Sequence, residues 1–433
     1  MSPPRRSIVP EPAPAGADRR GARGGFAARA LVLGLLGRIG NGAVIVREGS
    51  SRHLCGRPVP GEPIPEVEVR SPRAWTAIAR EGAAGLGRAY FSGWWDCASL
   101  DDLTAVLRVV VRNLDTVDRV RRLAAPLRPV GAAARLRRSG QADGSARDAE
   151  LGNVQAHYDL GNELFALFLD ETMTYSAAIF ESPSTTLRDA QVAKLERVCR
   201  LLDLSPADHV LEIGTGWGSF ALHAAGRHGC RVTTTTVSPA QHELASRRVK
   251  EAGLDELVTV LDLDYRSLSG TYDKLVSIEM IEAIEWRQQE GFFRACSSLI
   301  APGGAMALQA IVIDDALHDA AKQSEDYVKR YVFPGSSIPS VGSIVSEAAR
   351  AGLRLTALED IGQHYAETLR RWRHAFEAHD ADIAALGFDE TFRRLFAFYF
   401  CYCEAGFEER RIADVQCLLV KPDWRPKGLG HRS

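Results

Sequence analysis

From about residue 205 onward, short apolar runs alternate with amphipathic stretches. The segments 210–213, 231–237, 258–261, 274–278 and 305–313 are apolar or β-branched runs of strand length. Between them, 218–228, 239–252 and 287–300 repeat apolar positions every three or four residues. Period two alternating with period 3.6 predicts strand–helix units and a mostly parallel, doubly wound α/β sheet. Helices are expected over 151–170 and 185–203 before this pattern, and two late strands over 353–358 and 415–420. A polar, helical stretch at 314–350 turns at 331–339, and 362–412 reads as helical and aromatic. Both look like insertions that cover a crevice and shape an acceptor pocket.

The first part of the chain differs. Residues 1–24 are rich in Pro, Gly, Ala and Arg and read as a disordered tail. Residues 25–115 predict a smaller α+β N-terminal domain, with a helix at its start, strand-like alternation at 43–47 and 67–70, and helices over 72–81 and 100–113. The glycine- and aromatic-rich run 85–96 suggests a packed turn or a contact surface, with core filling as the adopted reading. Residues 116–150 read as a linker. Seven arginines between 119 and 138 face one acid, Asp118. That stretch is either a solvated basic connector or an electrostatic foot on anionic lipid. The main domain is placed at 151–425 and a tail at 426–433.

Composition narrows the class. The chain has 433 residues, 45% of them hydrophobic and 25% charged, which suits a globular protein with a large core. A formal net charge of -2 gives no global attraction to nucleic acid, and no such partner is expected. Eight scattered cysteines without a Cys-x-x-Cys pair read as reduced thiols, and no metal site is expected. No apolar run approaches the roughly 20 residues of a membrane span. The run at 26–36 follows an Arg-rich start without a clean cleavage site and reads as an amphipathic helix. These features point to a cytoplasmic protein, peripheral at the inner membrane face; a homodimer is compatible with them.

Candidate chemistry centres on His209-Val-Leu-Glu-Ile-Gly-Thr-Gly-Trp-Gly-Ser-Phe220. An apolar strand ends in Glu212, then Gly214, Gly216 and Gly218 form a tight turn into a helix. Glycines permit sharp turns and close ligand approach, and the helix N-terminus offers unpaired N–H groups. The spacing is Gly-x-Gly-x-Gly, not the Gly-x-Gly-x-x-Gly of dinucleotide folds. With Glu212 able to hold an ammonium group, it favours S-adenosylmethionine (SAM) over a pyrophosphate. Strand ends then place Gly214, Ser238, Asp264 and Glu279–Glu282 around one crevice.

Further motifs carry a resemblance. His157-Tyr-Asp-Leu-Gly-Asn-Glu-Leu-Phe165, Phe168-Leu-Asp-Glu-Thr-Met-Thr-Tyr-Ser176, Tyr331-Val-Phe-Pro-Gly335, His364-Tyr-Ala-Glu-Thr-Leu369 and Cys403-Glu-Ala-Gly-Phe-Glu-Glu-Arg410 resemble the cyclopropane-fatty-acyl-phospholipid synthases. The stretch Gly87-Arg-Ala-Tyr-Phe-Ser-Gly-Trp-Trp95 is similar to the N-terminal domain of longer members. The resemblance implies a Rossmann-like class I methyltransferase fold with helical lid insertions, a phospholipid membrane as partner, and methyl transfer from SAM to a cis double bond. The resulting carbocation closes to a cyclopropane by losing a proton, or forms a methylene branch after a hydride shift.

The resemblance also implies site roles. Tyr175 and Ser176 would contact SAM from the N-terminal side, and Gly214, Gly216 and Gly218 its methionine part. Thr236, Ser238 and Gln241 would meet the ribose or methionine end, and Asp264 with Tyr265 the adenine region. Glu282, Tyr365 and the backbone of Ile311 match residues that hold a bicarbonate base in this family, and Tyr331 and Phe333 would face the acyl chain. His157 is expected to hold the SAM lid rather than act as the base. Three positions depart from the bacterial pattern: Ala177 replaces a Cys, and Ala283 and Gln309 replace His residues. Gln309 could still bind an anion through its NH₂. The adopted reading is a cyclopropane synthase. The alternatives are a methylene- or methyl-branch-forming enzyme, a methyltransferase of small amines or thiols, and an inactive lipid-binding protein.

Overall fold

The strand-length runs of the main domain assemble into one sheet in the computed structural model, which describes residues 20–115 and 160–425, with the backbone alone for 20–24. The predicted tails before residue 20 and after 425, the Arg-rich linker, His157 and the start of the 151–170 helix lie outside the described residues. The described chain forms two compact units. Among the described residues, one draws on 20–115, Glu325–Pro334 and Phe376–Glu409, the other on 160–324, Gly335–Ala375 and 410–425.

In the first unit, four strands, β1 (Gly42–Glu48), β2 (Ser51–Arg57), β3 (Glu66–Val69) and β4 (Trp95–Asp96), pair in the order β2-β1-β3-β4. β2 is a strand that the sequence pattern did not single out; it pairs antiparallel with β1 around a turn at Gly49. The described helix at the start of this unit begins at Arg20, inside the segment read as tail. The run 85–96 fills the core, with Tyr90, Phe91 and Trp95 buried, and much of it is helix, Ala83–Phe91, not a packed turn. Its glycines explain the aromatic density around it. A Cβ on Gly85 would overlap the Ala77 carbonyl, and one on Gly87 would overlap the Tyr327 ring and stand 3.0 Å from Phe398. Tyr90 then packs on Trp95 at 5.2 Å and Phe398 at 5.5 Å between ring centres.

The late segments of this unit are tied in by charge as well. Arg394 lies over the Tyr90 ring at 4.1 Å and reaches Asp96 Oδ2 at 3.1 Å. Glu409 accepts from Arg112 Nε at 2.8 Å and Nη2 at 2.7 Å, and from Arg108 Nε at 2.8 Å. Parts of both stretches read as crevice-covering insertions, 325–334 and 376–409, are therefore built into the unit that begins the chain.

The second unit holds seven strands in the order β10-β11-β9-β8-β5-β6-β7. β5 (His209–Ile213), β6 (Arg231–Thr236), β7 (Val258–Asp262), β8 (Tyr272–Ile278) and β9 (Ile300–Ile313) run parallel, while β11 (Ile412–Val420) and β10 (Arg354–Asp360) add antiparallel. Both faces are covered, as the near-continuous apolar runs require. Val210 of β5 joins one core with Phe220 and Val276, and Leu211 and Ile213 join the other with Phe292 and Leu275. Each fully buried side chain of this kind stabilises the fold by about 1.5–3 kcal/mol. Because five neighbouring strands are parallel, their C-terminal ends open on one edge of the sheet.

The tight packing at Gly87 generates a prediction. Gly87→Ala should destabilise the first unit by about 1–3 kcal/mol, read as a lower urea midpoint. Gly40→Ala, where a Cβ meets nothing within 4 Å, should shift it by less than about 0.5 kcal/mol. Equal midpoints for the two variants would contradict the packing described.

Candidate active site

The Gly-rich turn follows β5 with Gly214, Gly216 and Gly218 at φ +101°, +52° and +89°. Side chains there would be strained, and at Gly218 a Cβ would stand 3.3 Å from Ala245. Beside Gly216 nothing lies within 4 Å, which leaves open space over the turn. Gly218 is the N-cap of the helix Ser219–His228, whose first N–H groups have no partner within the helix. Neighbouring groups pin the turn. Trp217 donates from Nε1 to Asn162 Oδ1 at 2.8 Å, and Arg248 donates to the carbonyls of Trp217 at 2.6 Å and Thr172 at 3.0 Å.

Glu212 is buried and accepts from the Thr234 hydroxyl at 2.6 Å, which in turn pairs with Thr215 at 2.7 Å. Burial pushes its carboxyl up to about 8. In this geometry Glu212 braces the turn through β6. Thr236, Ser238 and Gln241 likewise bond among themselves. Thr236 donates to Gln241 Oε1 at 2.8 Å, and Ser238 accepts from the Gln241 N–H at 3.3 Å as the cap of helix Pro239–Glu251. Asp264 caps the next short turn by accepting from the Arg266 N–H at 2.8 Å, and Tyr265 packs edge-on to Phe292 at 5.4 Å. All of these sit at strand ends on the same edge of the sheet.

The segment from the N-terminal side closes against them. Tyr175 stands in an aromatic set with Phe165 at 5.3 Å and Trp372 at 5.1 Å, and Trp372 meets Tyr365 at 6.1 Å. The Ser176 hydroxyl accepts from Lys194 Nζ at 2.6 Å. Lys194 is fully buried, and burial lowers its ammonium to about 8 despite nearby acids.

Between these walls lies a residue that the motif comparison passed over. Glu279, just beyond β8, has φ +48°, a conformation costing a non-glycine residue about 1–3 kcal/mol. Its Oε1 accepts from the Ala177 N–H and from Gln309 Nε2, each at 2.8 Å, and its Oε2 accepts from the Tyr365 hydroxyl at 2.6 Å. Gln309 places its other amide hydrogen on Asp414 Oδ2 at 2.9 Å and accepts from Gln416 Nε2 at 3.0 Å. Both N–H groups of Gln309 are thus engaged by carboxylates, so the expectation that it offers its NH₂ to an anion from solution is corrected: the protein's own acids are closer. Glu282 accepts from the Ile311 N–H through Oε1, while its Oε2 is sealed from solvent and lacks a partner among the described residues. Burial first, and the Glu279 charge second, push Glu282 up to about 8.

Of the expected residues, Gln309 and Tyr365 meet Glu279 directly, Tyr175 joins Tyr365 through Trp372, Ser176 holds Lys194, Ile311 holds Glu282, and Gly214 lies beside Met280. Tyr331 and Phe333 belong to the first unit. Tyr331 is 7% exposed and packs edge-on to Phe91 at 5.2 Å, and Phe333 meets Tyr399 at 6.0 Å. Sequence reasoning also missed Lys194 and Asp414. Both carried a signal: Lys194 interrupts the apolar stripe of Ala190, Leu195 and Val198, and Asp414 interrupts an apolar strand. Another grouping escaped the cysteine reading. Ligand atoms of Cys199, His223 and His228 lie within 4.8 Å of one another, with Glu196 at 3.1 and 3.2 Å from the two imidazoles.

Comparison with known proteins agrees with this architecture. Residues 145–417 match the family described as Mycolic acid cyclopropane synthetase. The tuberculostearic acid methyltransferase UfaA1 of Mycobacterium tuberculosis is 38% identical, covering 82% of this chain and 83% of its own. The cyclopropane-fatty-acyl-phospholipid synthase of Escherichia coli is 31% identical over 83% of this chain and 88% of its own. The solved mycolic acid cyclopropane synthase CmaA1, complexed with SAH and CTAB, superposes with a TM-score of 0.59 at 29% identity, covering 63% of this chain and 98% of that one. The chain belongs to the mycolic acid cyclopropane synthetase family. It is a SAM-dependent methyltransferase of the Rossmann-like class I fold, cyclopropanating or methylating lipid acyl chains. The open space at Gly216 and the helix N-terminus behind Gly218 fit SAM.

Buried Glu212 yields a pH prediction. Its folded value lies above the ordinary 4.5, so the folded state favours the proton. The stabilisation is complete below the ordinary value and is lost as pH rises towards 8. The thermal midpoint of the ligand-free wild type should therefore fall relative to Glu212→Gln between pH ~5 and ~8. A constant difference across that window would contradict a protonated, buried Glu212.

Proposed function

We propose that this enzyme methylates the cis double bond of unsaturated phospholipid acyl chains and that proton loss then closes a cyclopropane. The observation that carries this reading is the Glu279 carboxyl held by the Tyr365 hydroxyl, with Trp372 and Tyr175 packed in series beside that ring, and a Glu282 oxygen sealed from solvent. An alkene is a weak nucleophile, so the reacting atoms must be held in alignment. Bound SAM supplies the electrophilic methyl group. The pinned Gly-rich turn orients it, and aromatic faces stabilise the cation that forms on the chain by about 0.5–2 kcal/mol each. A buried acid then takes the proton.

A second reading has its own support: the 38% identical relative is named a tuberculostearic acid methyltransferase, whereas the 31% identical one is named a cyclopropane synthase. In that case a hydride shifts first, and the same proton loss gives a methylene branch. Incubation with oleoyl phospholipid vesicles and SAM, followed by mass spectrometry of the lipids, separates the two. Mild catalytic reduction with deuterium gas adds two deuteriums to a methylene product and none to a cyclopropane. Absence of any methylated lipid would contradict both readings.

Contact with the membrane is part of the proposal. No described helix is long and apolar enough to cross a bilayer. Phe26 is 74% exposed, Leu31 44% and Leu54 60%, all in the first unit, which supports shallow apolar insertion at the cytoplasmic membrane face. The arginines at 119–138 add an electrostatic component.

Two predictions follow from this reading. Glu282→Gln should lower turnover about 10²–10⁴-fold while SAM affinity by calorimetry stays within about twofold; unchanged turnover would remove Glu282 from the chemistry. Sedimentation with anionic vesicles should weaken as salt rises and weaken further in Phe26→Asp. Binding indifferent to both changes would contradict the membrane surface proposed.

A further inference from the structure

We propose that the carboxylate of Glu279 takes the place of bicarbonate and is the base that removes the proton. This inference rests on the methylation reading above. The resemblance implies a bound bicarbonate held by Glu282, Tyr365 and Ile311. The site does not fit one. Three donors from separate parts of the chain, the Ala177 N–H, the Gln309 amide and the Tyr365 hydroxyl, converge within 2.6–2.8 Å on the oxygens of Glu279. That is a cradle for a small oxyanion, and the chain's own carboxylate fills it. The Ile311 N–H is engaged as well, by Glu282.

The replacements at the family's bicarbonate positions match this occupation. Ala177 contributes only its backbone N–H, so loss of the Cys side chain costs nothing here. Gln309 bridges Glu279 and Asp414 with its two amide hydrogens, which a single imidazole nitrogen could not do. The left-handed backbone at Glu279 turns its side chain from the strand end to these three donors. Asp414 is buried, with Oδ1 lacking a partner among the described residues. Burial, reinforced by the Glu279 and Glu282 charges, raises its carboxyl well above the usual range and favours its neutral form. Burial raises the Glu279 carboxyl, and its three donors together with the nearby Lys194 charge work against that rise and favour the carboxylate.

The step balances without an added base. The alkene's π pair forms the new C–CH₃ bond, and the S–CH₃ pair stays on sulfur. A C–H bond of the transferred carbon then breaks. Its electron pair closes the ring, or forms the branch double bond after a hydride shift, and the proton binds Glu279. Water removes it after product release.

Bicarbonate depletion and rescue test the proposal. Wild-type turnover in carbon-dioxide-free buffer should stay within about twofold of that with added bicarbonate. Glu279→Gly suits the φ of +48° and empties the cradle. It should lose about 10²–10⁴-fold in turnover, keep SAM affinity by calorimetry, and regain at least about tenfold with added bicarbonate or formate. Glu279→Gln, which still fills the cradle, should be slow and not rescued. In ¹³C NMR, labelled bicarbonate should broaden with Glu279→Gly and stay sharp with wild type. Turnover of wild type that collapses without bicarbonate, bicarbonate binding to wild type, or full bicarbonate-free activity of Glu279→Gly would each overturn the assignment. If no lipid is methylated, the functional reading fails, and the NMR comparison still reports whether Glu279 occupies the cradle.

Discussion

Placing several carboxyls in a sealed, weakly polar site is the constraint around which the second unit is organised. A buried carboxylate is costly unless hydrogen-bond donors and a nearby cation compensate it. Here the compensation comes from every element around the sheet edge. The segment at 175–178 brings a backbone N–H, helix Leu187–Leu202 brings Lys194, β9 brings Gln309, and helix Gly362–Ala378 brings Tyr365. Removing any one of them leaves an acid with fewer partners. The same dependence locks the wall at 175–178 to the floor at 279–282, so the groups that would flank a reacting methyl are held before a ligand arrives.

This arrangement links stability to chemistry. Glu212, Glu279, Glu282 and Asp414 all have carboxyls raised by burial, and Lys194 has an ammonium lowered by it. Carboxyls raised by burial lose stabilisation as pH climbs, so the protein gives up stability to keep bases of useful strength near the reacting carbon. The φ of +48° at Glu279 is a second such concession. The strained Glu279 lies beside the Gly-rich turn: a Cβ on Gly214 would meet Met280, the next residue after Glu279, at 3.2 Å.

Much of this was legible in the sequence. Strand and helix periodicity located the strands of the second unit, most of them to within three residues, because the central parallel strands are buried on both faces. The Gly-x-Gly-x-Gly spacing located the cofactor turn, because positive φ at three positions requires glycine. Other features were not legible. β2 is a polar hairpin strand, SRHLCGR, with one buried residue, so no apolar alternation marks it. The run 85–96 fills the core as its aromatics suggested, but its helix was not legible because its glycines serve close packing and not chain reversal. The membership of 325–334 and 376–409 in the first unit depends on long-range contacts such as Arg394 with Asp96. Glu279 looked like one acid among several. Its role emerges only when Ala177, Gln309 and Tyr365, separated by up to 188 positions, meet on its oxygens.

The account holds that a buried acid removes one hydrogen from the carbon that SAM delivers. Turnover of oleoyl phospholipid with SAM carrying a trideuterated methyl group tests this directly by mass spectrometry of the product chains. Retention of two deuteriums on the added carbon is the predicted result for ring and branch alike. Retention of all three would show that the proton leaves from the acyl chain instead, and would contradict the role given to the carboxylate site.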